Sequence, residues 1–301
     1  MTDIILHHYE MSPFSELLRV ALGLKGLAWK SVIIPNIAPK PDLTPLTGGY
    51  RKTPVLQVGA NIYCDTAMAI EAIEALKPEP SFYPAPLGRA GAFIAAWASG
   101  PMFFPAVGAA MGPVADALPA EFWDDRKALF GLDKDRFVPM APHMTTQFCA
   151  SLAKLEGTLS DGRAFVGGPA AGYADLALYL DVWFQKRFAP EPAVLEPFPL
   201  IKDWTARVAA IGHGSFTEIS GTDAITIAKT AEPAVVEDVD TGGGFAIGQP
   251  VTVRTEDPGA DPVAGKLVRL THRDIAVLRD DPQVGAVCVH FPRLGQIVMP
   301  A

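Results

Sequence analysis

Cysteine is scarce in this 301-residue sequence, and no two cysteines are close together. Cys64, Cys149 and Cys288 lie far apart and form no Cys-x-x-Cys motif, and the six histidines show no ligand spacing with cysteines or carboxylates. Secreted domains rely on dense disulfides, and zinc sites need closely spaced ligands. The sequence therefore argues against a disulfide framework and against a metal site, and it favours a reducing cytoplasm.

Clusters of basic residues are also lacking. The formal net charge is −8, with 25 Lys and Arg against 33 Asp and Glu, and the basic residues are dispersed along the chain. Affinity for nucleic-acid phosphates depends on clustered Lys and Arg. We therefore predict no nucleic-acid partner.

Long hydrophobic runs are missing as well. The most apolar segment, residues 93–111, is interrupted by Gly100-Pro101 and by Pro105, so it is predicted to be a core helix and a turn, not a membrane span. The start of the chain carries Asp3 where a secretory signal needs a basic residue and a long apolar stretch. These features favour a cytoplasmic protein without a membrane partner.

Three kinds of pattern succeed one another along the chain. Strand and helix patterns alternate within residues 1–79, which predicts an α+β domain with a small mixed sheet. After a proline-rich linker, residues 87–221 show helical periodicity only and predict an all-α domain. Residues 222–301 contain short period-two segments bounded by Gly, Pro or Asp, which predict a small all-β, barrel-like module.

The first strand leads directly to hydroxyl groups at the start of a helix. Strand residues 4–9 precede Ser12-Pro13-Phe14-Ser15, and helical spacing of apolar residues follows up to about Leu24. A helix N-terminus favours an anion, and a serine hydroxyl placed there can donate a hydrogen bond to a thiolate. The alternative is that Ser12 only caps the helix.

Two further motifs follow in order and complete a resemblance. Lys52-Thr53-Pro54 precedes a strand, and Asp65-Thr66 precedes an amphipathic helix. Together with the Ser12-Pro13-Phe14 element they resemble the thioredoxin-like domain of a glutathione transferase, in its serine-type branches. The resemblance implies a cis peptide bond before Pro54 and a Thr53 backbone that pairs with the cysteinyl unit of glutathione.

The resemblance also implies the chemistry. Ser12 would stabilise the thiolate of glutathione, a co-substrate, for attack on a hydrophobic electrophile, with Ser15 as a rival one helical turn away. Tyr9 lies near the position where other branches use a tyrosine, although a strand-end structural role is the alternative. Neither serine position holds a cysteine, which disfavours glutathione–disulfide exchange.

The remaining glutathione contacts are implied in the same way. Asp65 would pair with the γ-glutamyl ammonium and Thr66 with its carboxylate, although both residues also suit an ordinary helix cap. Lys52, or Lys40 in the preceding loop, would pair with the glycyl carboxylate. Asp65 stands where the family more often has the longer Glu.

The helical region resembles the second domain of the same family. Gly172 stands where the family usually has Ser or Thr at a buried helix start, so we expect this helix to form with a weaker cap, Asp175 accepting from the N-cap N–H. Aromatic residues on the first helix of this domain would face the electrophile; they are Phe93, Trp97, Phe103 and Phe104. The family further implies a homodimer and a role in detoxification.

Two functions are consistent with these patterns. The first is a glutathione S-transferase-like enzyme that carries an added β tail. The second is a catalytically weak glutathione-binding scaffold in which residues 222–301 act as a binding or dimerisation module. Retention on immobilised glutathione without turnover would indicate the second.

Overall fold

The computed structural model describes residues 3–189, 192–239, 243–257 and 259–301. Its first part is the predicted thioredoxin-like α+β domain. Central strand β1 runs parallel to β2 and antiparallel to β3, which pairs antiparallel with β4. The elements are β1 (Ile4–His8), α1 (Pro13–Lys25), β2 (Ala28–Ile33), α2 (Thr44–Thr47), β3 (Val55–Val58), β4 (Asn61–Cys64) and α3 (Thr66–Leu76).

Helix α1 connects the first domain to the helical one. Its start is capped by Ser12 and its end by Gly26, whose φ of 56° lies in the left-handed region that glycine adopts without strain. Leu17, Leu18 and Leu22 on α1 are fully buried. Burying each such side chain stabilises the fold by about 1.5–3 kcal/mol, so the position of α1 is strongly determined.

The second part is the predicted all-helical domain. Its helices are α4 (Gly91–Trp97), α5 (Phe103–Met111), α6 (Ala120–Phe130), α7 (Lys134–Leu159), α8 (Tyr173–Phe188) and α9 (Pro199–Ala209). Helix α8 is buried along most of its length and contacts α1, α4 and α5. It therefore packs the helical domain against α1 of the first domain.

One helical stretch, Gly88–Ala117, is long and apolar enough to cross a membrane when judged by length and composition alone. In the structure it is broken by a π-helical turn at Ala98–Met102, which contains Pro101. On either side of that turn, α4 packs against α8, and α5 packs against α7 and α8. In the structure 33% of the apolar window is buried, so this packing covers only part of its apolar surface.

Gly172 is explained by a close approach at the start of α8. A Cβ atom there would lie 2.7 Å from Pro84 Cδ and 2.8 Å from the carbonyl oxygen of Phe82. The packing therefore excludes the Ser or Thr usual in the family. As expected, Asp175 accepts a hydrogen bond from the Gly172 N–H, at 3.1 Å.

The C-terminal region contains the predicted β structure, preceded by one further strand and one helix that the sequence did not predict. Strand β5 (Ser215–Glu218) pairs with β2, and α10 (Gly221–Thr230) follows. The later strands are β6 (Asp238–Val239), β7 (Pro250–Thr255), β8 (Val263–Leu270), β9 (Asp274–Asp281), β10 (Gly285–Pro292) and β11 (Gln296–Pro300).

These C-terminal strands extend the sheet of the first domain. Among the described residues, one sheet has the order β11-β7-β8-β9-β10-β4-β3-β1-β2-β5, and β6 pairs with β8. The junction is a parallel pairing in which Val289 of β10 lies opposite Ile62 of β4. Both side chains belong to one buried cluster, together with Val55 and Val287. One sheet and one buried core therefore extend across residue 222. The predicted boundary between separate domains at this residue stays a prediction.

Candidate functional site

A cavity of about 1690 Å³ lies between the first domain, the helical domain and the C-terminal strands. Its wall contains most of the residues that the sequence analysis singled out, contributed by four separate segments of the first domain. These are Tyr9, Ser12, Lys40, Lys52, Thr53, Pro54, Asp65 and Thr66. The fold therefore brings together motifs that are far apart in the sequence.

Ser12 lies in the cavity wall at the N-terminus of α1. Its Oγ accepts a hydrogen bond from the Ser15 N–H at 3.1 Å, so the residue caps the helix. A hydroxyl that accepts a hydrogen bond keeps its own proton for donation. The structure thus shows the capping role of Ser12, whose oxygen is held by α1 in a position that lines the cavity.

Ser15 is placed differently. It is fully buried and is absent from the cavity wall. Its Oγ finds no hydrogen-bond partner within the described parts of the chain. Of the two candidate hydroxyls, the structure brings only that of Ser12 to the cavity.

A buried polar network holds the end of β1 against α1. Arg19 bonds to Nδ1 of His8 at 3.0 Å and to Oε2 of Glu16 at 2.8 Å, and it donates to the Glu10 carbonyl at 3.1 Å. Burial, helped by the Arg19 charge, lowers the pKa of His8 to about 3, so His8 is neutral and can accept from Arg19. The network fixes the segment that carries Ser12.

The Thr53–Pro54 peptide bond is cis, as the resemblance implies. Lys40 lies beside it, and its Nζ donates to Oγ1 of Thr53 at 2.6 Å. Only 6% of Lys40 is exposed, and burial lowers the pKa of its ammonium to about 8. Lys40 is thus a cation directed at the same part of the cavity as Thr53.

Lys52 is already paired. Its Nζ donates to Oδ2 of Asp257, a residue of the C-terminal region, and lies 5.7 Å from the ring centre of Phe130. No sequence pattern indicates this pairing, because the two residues meet only through the extended sheet.

Asp65 has an unusual backbone conformation. With a φ of 80°, it is the one non-glycine residue at positive φ among those that the structure describes. Its Oδ1 caps α3 by accepting from the Ala67 N–H at 2.9 Å. Burial raises the pKa of Asp65, and the nearby Asp257 raises it further. Such strain costs about 1–3 kcal/mol and is concentrated at functional sites.

The side of the cavity formed by the helical domain is apolar. Phe103 and Phe104 line it, and Phe103 packs on Phe14 with ring centres 4.7 Å apart. Phe93 and Trp97, which we expected here, are absent from the wall, and Phe93 is 82% exposed on α4. Further apolar side chains of the wall come from α5, α6 and α8, and include Val107, Met111, Phe122, Phe130, Phe184 and Phe188.

The C-terminal strands supply a third side of the cavity that sequence reasoning missed. Asp257, Arg269, Arg273, His290 and Leu294 all line it. The ring of His290 stacks on Tyr63 of β4, with centres 4.6 Å apart. No local pattern signals these positions, because they reach the cavity through the pairing of β10 with β4. Within the described residues there is no group of three or more side chains suited to a metal ion.

Two family models match the chain. "Glutathione S-transferase, N-terminal domain" matches residues 6–81, and "Glutathione S-transferase, C-terminal domain" matches residues 139–211. No curated protein matches the sequence significantly.

Solved structures extend this likeness to the whole chain. A GST-like protein from Pseudomonas syringae is 38% identical, covers 100% of both chains and superposes with a TM-score of 0.82. Two more distant structures share the fold over part of the chain. A glutathione S-transferase from Rhodospirillum rubrum is 21% identical over 69% of this chain and 88% of its own, with a TM-score of 0.54. A glutathione S-transferase from Methylobacterium radiotolerans, solved with glutathione sulfonate, is 18% identical. It covers 72% of this chain and 97% of its own, with a TM-score of 0.52. The chain therefore belongs to the glutathione S-transferase superfamily.

Proposed function

We propose that this protein is a glutathione transferase that stabilises the thiolate of glutathione with Ser12 and directs it at a hydrophobic electrophile. The observation that carries the proposal is the Ser12 hydroxyl, held at the N-terminus of α1 in the wall of a cavity with one polar and one apolar side. The helix terminus and the hydroxyl proton both stabilise a negative sulfur, and this raises the fraction of reactive thiolate.

The polar side of the cavity accommodates the tripeptide in one direction. The cysteinyl unit lies along the Thr53 backbone next to Pro54, and its sulfur reaches Ser12. The γ-glutamyl end meets Asp65 and Thr66 at the N-terminus of α3, where backbone N–H groups suit its carboxylate. In the reaction the sulfur forms a bond to the electrophilic carbon, while a leaving group departs or a proton is taken up.

The glycyl carboxylate is assigned to Lys40. The sequence left Lys40 and Lys52 as alternatives, and the structure pairs Lys52 with Asp257. Lys40 bonds to Thr53 Oγ1, beside the position proposed for the cysteinyl unit, and is buried. A buried ammonium gains more from a carboxylate than an exposed one does, because less of its charge is screened.

The electrophile is placed against the apolar side near Phe14, Phe103 and Phe104. Holding both reactants in one cavity removes much of the entropic cost of their encounter. A broad apolar wall suits varied hydrophobic compounds, which is the basis for proposing detoxification. A cytoplasmic location and a homodimer complete the proposal by family resemblance.

A second candidate function is supported by one observation. The C-terminal strands lie against the polar side of the cavity, and Asp257 forms an ion pair with Lys52 there. In a catalytically weak scaffold these strands would serve as a binding or dimerisation module next to bound glutathione.

Calorimetry and turnover together test both candidates. We expect saturable glutathione binding with a Kd below about 1 mM, which corresponds to about 4 kcal/mol or more, and conjugation of a generic aryl halide or epoxide. Binding without turnover on a panel of electrophiles would indicate the scaffold. Absence of saturable binding would contradict both candidates.

The affinity for glutathione is expected to fall as the pH rises through the pKa of Lys40, about 8 in the free protein. The glycyl carboxylate binds the protonated form of Lys40. Protonation of Lys40 is complete well below pH 8 and is lost above it. The measurement is calorimetric Kd from pH 6.5 to 9.5 with S-methylglutathione, whose sulfur does not titrate.

Lys40→Arg is the matched control for this pH dependence. Arginine keeps its charge throughout the range, so the loss of affinity specific to Lys40 should disappear. Titration of the ligand's own amino group is common to both proteins and cancels in the comparison. The same rise in Kd with pH in both proteins would contradict the assignment of Lys40.

A further inference from the structure

The C-terminal strands reach the γ-glutamyl end of the site because of a parallel strand pairing. Strand β10 runs parallel to β4, with His290 opposite Tyr63. Parallel strands end at the same edge of a sheet. The turn that follows β10 therefore lies beside Asp65, which follows β4 directly. Leu294 in this turn lines the main cavity together with Asp65.

A second pairing brings carboxylates to the same place. Strand β11 is antiparallel to β7, and Gln296 lies opposite Thr255. The residues after β7 are Glu256 and Asp257, so they also reach this edge. A smaller pocket of about 400 Å³ lies here, between Asp65 and Lys52 on one side and residues 255–257 and Gln296 on the other.

The composition of this pocket favours a cation that donates hydrogen bonds. Three carboxylate residues and one lysine line it, which gives a formal charge of −2, and the lysine is paired with Asp257. Gln296 is only 6% exposed, and its Oε1 accepts no hydrogen bond from the part of the chain that the structure describes. A buried amide oxygen without a donor costs about 1–3 kcal/mol. A ligand with several N–H donors would remove that cost.

We propose that this acidic pocket receives the γ-glutamyl ammonium of glutathione, and that Asp257 is a specificity-determining residue supplied by the C-terminal strands. The inference rests on the proposed function, since it places a part of glutathione beyond Asp65. An ammonium between Asp65 and Asp257 meets two carboxylates and the unpaired oxygen of Gln296.

Lys52 has a defined part in this arrangement. Its Nζ holds Oδ2 of Asp257 and thereby fixes the carboxylate at the edge of the pocket. Besides burial, repulsion from the charge of Asp257 raises the pKa of Asp65, whereas in Asp257 itself burial is outweighed by its hydrogen bonds, chiefly that from Lys52, and the pKa is lowered. A cation between them relieves this repulsion, so the pocket prefers an ammonium over a neutral group.

The test compares glutathione with glutaryl-cysteinylglycine, an analogue that lacks only the ammonium. Calorimetry on the full chain should show the wild type binding glutathione about 10-fold tighter or more, because a hydrogen-bonded charge pair is worth about 1.5–3 kcal/mol. Asp257→Asn should remove most of this preference. Its affinity for the analogue should stay within about 2-fold of wild type, which also shows that the variant is folded.

Asp280→Asn is the matched control. Asp280 is an exposed residue of β9 outside both pockets, and its replacement should change neither affinity. An equal loss for both ligands in Asp257→Asn would overturn the proposal, since Asp257 would then act only through Lys52. Tighter glutathione binding in Asp257→Asn would overturn it as well, because Asp257 would be blocking the site. Failure of both ligands to bind the wild type would remove the proposed function itself.

Discussion

Replacement of Ser12 by Ala is expected to lower the rate of glutathione conjugation about 10- to 100-fold, while the Kd for glutathione changes little. A hydrogen bond to a charged group contributes about 1.5–3 kcal/mol, and here that group is the thiolate. The tripeptide would keep its contacts at Thr53, Asp65 and Lys40. The loss should therefore appear in kcat and in the pKa of the bound thiol, which thiolate absorbance measures directly.

Ser15→Ala is the matched control on the same helix. Ser15 is a serine of the first turn, and its Oγ has no hydrogen-bond partner among the described residues. Its replacement should leave both the thiol pKa and the turnover near those of wild type. Ser12→Ala also removes a helix cap worth about 1 kcal/mol, so unfolding must be measured in parallel. Loss of activity in Ser15→Ala but not in Ser12→Ala would transfer the role to Ser15.

Replacement of Asp175 by Ala is expected to destabilise the protein by about 3 kcal/mol or more. The buried Asp175 carboxylate accepts from Val166 N–H at 2.8 Å, Gly172 N–H at 3.1 Å and Trp204 Nε1–H at 2.8 Å. Each buried donor left without a partner costs about 1–3 kcal/mol. Gly172 has no side chain that could take over, so the start of α8 would lose its cap.

Chemical denaturation measures this loss as a lower midpoint at unchanged slope. Asp203→Ala is the control, since Asp203 is an exposed aspartate of α9 and its replacement should change stability by less than about 0.5 kcal/mol. Equal midpoints for Asp175→Ala and wild type would contradict the structural role given to Asp175.

Local structure was predictable from the sequence where side-chain periodicity was strong. Strand Val55–Val58 lies in the region predicted to be α+β, and helices Ala120–Phe130 and Tyr173–Phe188 lie in the region predicted to be all-α. Strand β5 was missed because all four of its side chains are exposed and show no alternation. Its position depends on pairing with β2, including a stack of Phe216 on Trp29 with ring centres 4.7 Å apart. Such a long-range pairing leaves no local pattern.

The candidate site was also predictable only where local motifs carry it, and not where it depends on long-range strand pairing. The order of the motifs around Ser12, Pro54 and Asp65 indicated one cavity, and all three residues line it. The choice between Lys40 and Lys52 could not be made, because the partner of Lys52 is Asp257. Asp257 reaches the site through strand pairings between distant segments, which a sequence pattern does not encode.

The structure of the protein with bound glutathione tests the central claim most directly. We predict the sulfur within hydrogen-bond distance of Ser12 Oγ, the glycyl carboxylate at Lys40 and the γ-glutamyl end at Asp65. A tripeptide whose sulfur lies away from Ser12 would contradict the account. So would a crystal soaked at a saturating concentration of glutathione that shows none bound in this cavity.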